Sequence, residues 1–209
     1  MADKRKLTEA EEKRLAAYQE KCEEMKEKGF SEHRITASVL SANITGVLLA
    51  AVPCIILGIL FFLCNRDLEF SETGFLSYII FVILYVVTIV IHELLHGLFW
   101  SFSTKDGFAD IEFGFMKEYL TPYCTCRAPL GKKQYILGLL APFAILGVLI
   151  SVIGIFTGSM FVLGIGLINI IGAGGDLLIF VKLLADRGGK DAVYLDLPTE
   201  IGLARFDRN

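Results

Sequence analysis

The stretch IVIHELLHGLFW, residues 89–100, decides how this chain is read. It lies within an apolar run of about residues 75–101 and carries three polar groups, His92, Glu93 and His96. Charged side chains at membrane depth cost about 2.5–3.5 kcal/mol each on insertion scales, so three together call for a shared cause. On a helix, positions 92 and 96 are one turn apart on one face. Two imidazole nitrogens so placed can hold one Zn²⁺ at about 2.0–2.1 Å each. Glu93 follows the first histidine directly. In an HExxH arrangement the glutamate is not a ligand but the general base of a hydrolytic reaction. Interhelical hydrogen bonding and contact with lipid headgroups are the structural alternatives.

The chain has 209 residues, 54% of them hydrophobic, against about 45–50% in an ordinary soluble domain. The excess gathers in four runs, about 39–64, 75–101, 134–156 and 160–184, each near the ~20 residues that cross a bilayer. The expected fold is therefore an all-α integral membrane protein with four transmembrane helices. A charged N-terminal tail and helix (1–36) precedes the four-helix domain (37–186), and a C-terminal tail (187–209) follows it. Residues 1–34 hold nine Lys/Arg and nine Asp/Glu, with helix formers and opposite charges three to four apart, and Gly29 is the expected stop. Pro53 and Pro142 are expected to kink their helices. The loop at about 102–133 is rich in β-branched and aromatic residues, with partial alternation. A short β-hairpin and coil packed on the helices both stay open there. A secretory signal peptide is not expected, because the first apolar run follows a long charged stretch. Nor is nucleic-acid binding, at a net charge of −3.

Lys and Arg alternate between the loops. The N-terminal stretch has nine, the loop between the first two runs one (Arg66), the next loop five, the TGS turn none, and the C-terminal region five. The positive-inside rule then puts both termini and the 102–133 loop in the cytoplasm of a multi-pass protein of the cell membrane, bacterial by expectation.

A catalytic zinc usually has three protein ligands and an open position. The remaining histidine is His33, and loop carboxylates are Asp106, Asp110, Glu112 and Glu118. Apart from Glu93, the acidic residue well inside a run is Asp176. At 1.5 Å per residue His92 lies roughly 14 Å, and Asp176 roughly 9–16 Å, from the same end of their helices, so depth favours Asp176. The small residues of GIGLINIIGAGGD (164–176) suit close helix approach. Asn169, two turns before Asp176, is a candidate for a substrate backbone or oxyanion contact, with an interhelical hydrogen bond as the alternative. The five cysteines, including Cys124 and Cys126, read as free thiols.

HELLHG in an apolar helix, then FGFMKEYLTPYCTCRAPL, a helical hairpin with Gly-Asp in its second arm, and LDLPTEIGL together resemble the DUF3267 family of membrane zincin peptidases, from about residue 29 to 203. More distantly the chain is similar to the site-2 proteases, which pair HExxH with an Asp on a later helix. Site-2 proteases place Asn-Pro before that Asp; here Asn169 is followed by Ile170. The resemblance implies zinc at His92, His96 and Asp176, with Glu93 as base. The expected function is a zinc metalloprotease acting on a membrane protein or peptide near the cytoplasmic boundary of the bilayer. The alternative is a non-catalytic metal-binding scaffold or regulator, in which a residue such as Cys124 or Cys126 closes the metal site.

Overall fold

In the computed structural model, which describes residues 8–67, 74–116 and 121–208, the charged N-terminal stretch forms helix α1 (Glu9–Glu27). Thr8 and Glu11 build a capping box at its start: the Thr8 hydroxyl accepts from the Glu11 N–H, and the Glu11 carboxylate accepts from the Thr8 N–H. Gly29, at φ +80, turns the chain away after the helix, a conformation that costs glycine little. Tyr18, Cys22 and Met25 of this helix are buried.

Strand β1 (Ser31–Ala37) leads into α2 (Val39–Cys64), which Ser38 caps. Helix α3 (Phe75–Ser101) carries the HELLH stretch. Strands β2 (Ile111–Met116) and β3 (Thr121–Cys126) pair antiparallel, with Ile111 opposite Cys126 and Met116 opposite Thr121. The partial alternation of the 102–133 loop thus corresponds to a hairpin. Its neighbours Lys117 and Glu118 lie outside the described residues.

After β4 (Leu130–Gly131), helix α4 (Lys132–Pro142) passes through a π-helical segment, Phe143–Leu149, into α5 (Ile150–Thr157). The π segment begins where Pro142 removes one backbone donor from the helical ladder. Pro53, by contrast, lies inside the unbroken α2. Gly158, at φ +66, turns the chain into α6 (Met160–Gly172) and then α7 (Gly174–Ala185).

α2, α3 and the Lys132–Thr157 rod are long and apolar enough to cross a membrane, and α6 with α7 makes a fourth if that bent pair is one span. Leu48, Ile55 and Phe62 of α2 and Leu76, Ile83 and Val90 of α3 point outward, exposed. Such faces are compatible with a membrane protein.

Two expectations need correction. The chain is not all-α. Strands β5 (Val193–Asp196) and β6 (Ile201–Asp207) join β1 and β4 in a four-stranded sheet of order β1-β6-β5-β4. The region expected to be a C-terminal tail thus supplies the middle of a sheet. Its Tyr194, Leu195, Leu203, Ala204 and Phe206 are buried, five residues whose burial outweighs the solvation of the charges between them. Leu195, Ala204 and Phe206 pack on Tyr18, Cys22 and Met25 of α1.

The fourth apolar run, in turn, is not one straight helix. It breaks at Ala173 and bends by 51°. Gly172, Gly174 and Gly175 flank the break, and glycine lowers the cost of leaving helical geometry. At the break α7 meets α2 backbone to backbone: a Cβ on Gly46 would stand 2.8 Å from the Gly174 carbonyl carbon. Farther along, Gly154 and Gly147 take Leu163 and Ile170 of α6 at similar range, so these small residues close the α5–α6 hairpin.

Candidate metal centre

His92 and His96 project from one face of α3, and the break at Ala173 places Asp176 in the first turn of α7, facing them. A carboxylate there is favoured by the unsatisfied N–H groups and the positive end of the helix dipole. His92 Nε2 lies 3.1 Å from Asp176 Oδ2, and His96 Nε2 lies 3.5 Å from Asp176 Oδ1. The two Nε2 atoms are 3.1 Å apart. Among the described residues these three form the one group of histidine, cysteine and acidic side chains able to hold a metal ion.

The spacing and the chemistry of this set both fit zinc. A tetrahedral ion bound at 2.0–2.1 Å has ligand atoms about 3.3 Å apart, and the nearest approaches between the three side chains, two of them to different Asp176 oxygens, are 3.1, 3.1 and 3.5 Å. His96 Nδ1 is 2.9 Å from the Gly138 carbonyl, and a carbonyl can only accept, so Nδ1 carries a hydrogen. Nε2 is then the ring nitrogen left to face His92 and the Asp176 carboxylate, where a cation, either a proton or a metal ion, satisfies the lone pairs.

Gly138 is available to His96 for a local reason. Its carbonyl would ordinarily accept from the residue four positions on, which is Pro142 and has no N–H. Gly138 also makes room for Trp100: a Cβ there would stand 2.1 Å from the indole. The Trp100 ring stacks on His96, with centroids 5.2 Å apart and planes at 16°. Its Nε1 donates to the Tyr135 carbonyl at 3.1 Å. These contacts hold the His96 ring in one orientation, as partners of ligating histidines commonly do.

Glu93 is half-buried beside the cluster. The backbone of Cys124 on β3 is among the groups that face its carboxylate. Burial, reinforced by the negative charge of Glu93, pushes the Cys124 thiol up, and burial pushes Cys126 up to about 12. Neither sulfur belongs to the converging set.

Asn169 is buried and its amide nitrogen donates to the Ile165 carbonyl at 2.8 Å, one turn back on its own helix. That bond uses one of the amide's two hydrogens and ties the side chain to α6. His33 pairs with Asp207 on the sheet, at 3.3 Å.

A cleft of about 1210 Å³ runs beside the cluster. Tyr123, Cys124 and Thr125 of β3 line it, with Gly172, Gly174 and Gly175 at the helix break, the first turns of α2 and the turn from β5 to β6. Its lining thus includes Cys124, whose backbone faces Glu93, and Gly175, the neighbour of Asp176. A Cβ at Gly172 or Gly175 would meet nothing within 4 Å, so these two glycines leave the cleft open near the carboxylate.

Several residues around this cluster are not apparent from motif reading. Gly138 acts through a carbonyl, which leaves no side-chain signature. Trp100, four residues after His96, follows the helical spacing that could have marked it. Asp196 is the acid of LDLPTEIGL. It accepts from the Tyr135 hydroxyl and, at 3.3 Å, from the Cys126 N–H. Burial raises its pKa above the ordinary carboxylate range, with the two hydrogen bonds acting in the opposite sense.

Residues 85–189, half of the chain, match the family DUF3267, described as "Putative zincin peptidase". No curated protein and no solved structure matches.

Proposed function

The chain belongs to the DUF3267 family, and from that premise we propose that it is a membrane-embedded zinc metalloprotease. Its reaction is the hydrolysis of peptide bonds in a membrane protein or peptide, near the cytoplasmic boundary of the bilayer. The observation that carries this reading is the convergence of His92 Nε2 and His96 Nε2, 3.1 Å apart, on the Asp176 carboxylate, whose Oδ2 is 3.1 Å from the first and whose Oδ1 is 3.5 Å from the second, with Glu93 alongside but outside the set. His92, His96 and Asp176 hold the ion. When bound, zinc supplies a Lewis acid that polarises a carbonyl and makes water more acidic.

Glu93 accepts the proton of the attacking water and delivers it to the departing amine. The Cys124 backbone on β3 faces that carboxylate and limits where it can stand. The cleft between β3 and the α6–α7 break gives an extended peptide access from the polar end of the helices, where α1, the hairpin and the sheet lie. The Lys and Arg distribution puts that end in the cytoplasm. A periplasmic-type reporter fused after Arg127 is expected to be inactive.

The alternative, a scaffold with a closed metal site, needs a fourth protein ligand. Among the described residues none joins the three, Cys124 and Cys126 included. The test is Glu93→Gln in the full chain. Zinc content should stay at the wild-type level while cleavage of membrane-protein substrates is lost. Undiminished proteolysis by that variant would overturn the proposal.

A further inference from the structure

The mechanism proposed above makes no use of Asp196, although this carboxylate is tied into the frame around the site. It stands on β5, beyond the segment that matches the family, and accepts hydrogen bonds from two other elements: the Tyr135 hydroxyl on α4 and the Cys126 N–H on β3.

The geometry of β3 gives the second bond its importance. In an antiparallel pair, successive residues turn their backbone polar groups alternately toward and away from the partner strand. Arg127, just past β3, donates its N–H to the Asp110 carbonyl at 2.8 Å on the β2 side. The odd-numbered residues of β3 therefore face β2, and the even-numbered ones face away from it. On that outer edge Pro122 has no N–H, the Cys124 N–H faces Glu93, and the Cys126 N–H bonds Asp196. The two carboxylates come from different elements, α3 and β5, and face donors two residues apart, about 7 Å along the strand.

We propose that Asp196 is a positioning residue for Glu93. By holding the Cys126 N–H it fixes the placement of β3, and with it the Cys124 backbone that faces the Glu93 carboxylate. Tyr135 extends the same frame to the metal side. Its hydroxyl bonds Asp196, and its ring lies 5.4 Å from that of Trp100, which stacks on His96. One carboxylate on the sheet thus braces both the proposed base and a proposed ligand. The catalytic consequence rests on the protease reading; the mechanical coupling of Asp196 to Cys124 does not.

The test compares wild type, Asp196→Ala and Asp196→Asn as full chains in detergent micelles, with three readouts: backbone amide exchange, zinc content, and hydrolysis of fluorescein-labelled casein. Asn keeps an oxygen to accept from Cys126 and an NH₂ to pair with the Tyr135 oxygen. In Asp196→Ala, exchange at both Cys126 and Cys124 should rise about tenfold or more, while the α5–α6 hairpin keeps its protection and zinc content is unchanged. kcat should fall about tenfold or more at a KM within about twofold, the signature of a misplaced catalytic group. Asp196→Asn should restore every readout to near the wild-type value. If Asp196→Ala does not fold, Asp196→Glu, whose longer arm shifts the Cys126 contact, should raise exchange at Cys124 and Cys126 together.

Wild-type exchange at Cys124 when Cys126 is released would overturn the proposal, as would an Asn variant as impaired as the Ala variant. If wild type leaves casein intact, the protease reading loses support while the exchange readout still decides the coupling.

Discussion

His96 donates from Nδ1 to the Gly138 carbonyl, 2.9 Å away, a carbonyl that Pro142 leaves without its i+4 donor. A helix irregularity on α4 thereby sets the tautomer of a proposed zinc ligand on α3. Pro142→Ala supplies an N–H that competes with His96 for Gly138. Loss of an outer-shell partner typically costs 10–100-fold in metal affinity, so we expect zinc affinity to fall about tenfold, read by competition with a chromophoric chelator. Unchanged affinity would mean that the Gly138 contact does not tune the site.

The approach of α2 to α7 sets where Asp176 stands. A Cβ on Gly46 would stand 2.8 Å from the backbone of Gly174, two residues before it. Backbone cannot yield as a flexible side chain does, so Gly46→Ala should separate the helices. The expected cost is about 1–3 kcal/mol, the usual range for overpacking, with a lower zinc occupancy in the same preparation. Thermal unfolding and metal analysis together check this. Gly58, where a Cβ meets nothing within 4 Å, is the control: Gly58→Ala should leave both quantities near wild type.

At the end of α7, Asp186 binds the chain to the sheet. It accepts from the Tyr194 hydroxyl at 2.7 Å and from Arg205 Nη1 at 2.5 Å. Burial alone would raise its pKa; the Tyr194 and Arg205 hydrogen bonds and the Arg205 charge outweigh that and hold it below the ordinary carboxylate value. A depressed pKa contributes stability that is complete above the unfolded value, about 3.9, and is lost as pH falls through the folded one. Asp186→Ala should therefore destabilise the protein at pH 7 by about 1–2 kcal/mol, the scale for charge-assisted hydrogen bonds in a partly buried pair. The gap to wild type should narrow below about pH 4. A gap constant from pH 7 to pH 3 in unfolding experiments would contradict the assignment.

The sequence carried the metal cluster in two separate signals. The i, i+4 spacing put His92 and His96 on one face, and equal depth singled out Asp176; the structure brings the three together. It carried less of what surrounds them. The GAGG run before Asp176 reads equally as packing surface or helix break, and the backbone contact of Gly174 with Gly46 makes it both. β1 and β6 lie at opposite ends of the chain, so local pattern alone could not pair them, and the charges in IGLARFD masked three buried residues. The role of the Gly138 carbonyl depends on a proline four residues later and a histidine on another helix, a coincidence that only three-dimensional proximity exposes. In LDLPTEIGL the motif was visible, but Asp196 has no evident purpose until β3 is seen to run between it and Glu93.

Zinc at His92, His96 and Asp176 is tested most directly by X-ray absorption at the zinc edge on the purified full chain. The expected spectrum contains two imidazole nitrogens at about 2.0–2.1 Å and further oxygen ligands at about 2.0–2.2 Å. It should contain no sulfur, at one zinc per chain, and binding should be lost in Asp176→Ala. A sulfur shell at about 2.3 Å, or a wild-type spectrum retained in Asp176→Ala, would contradict it.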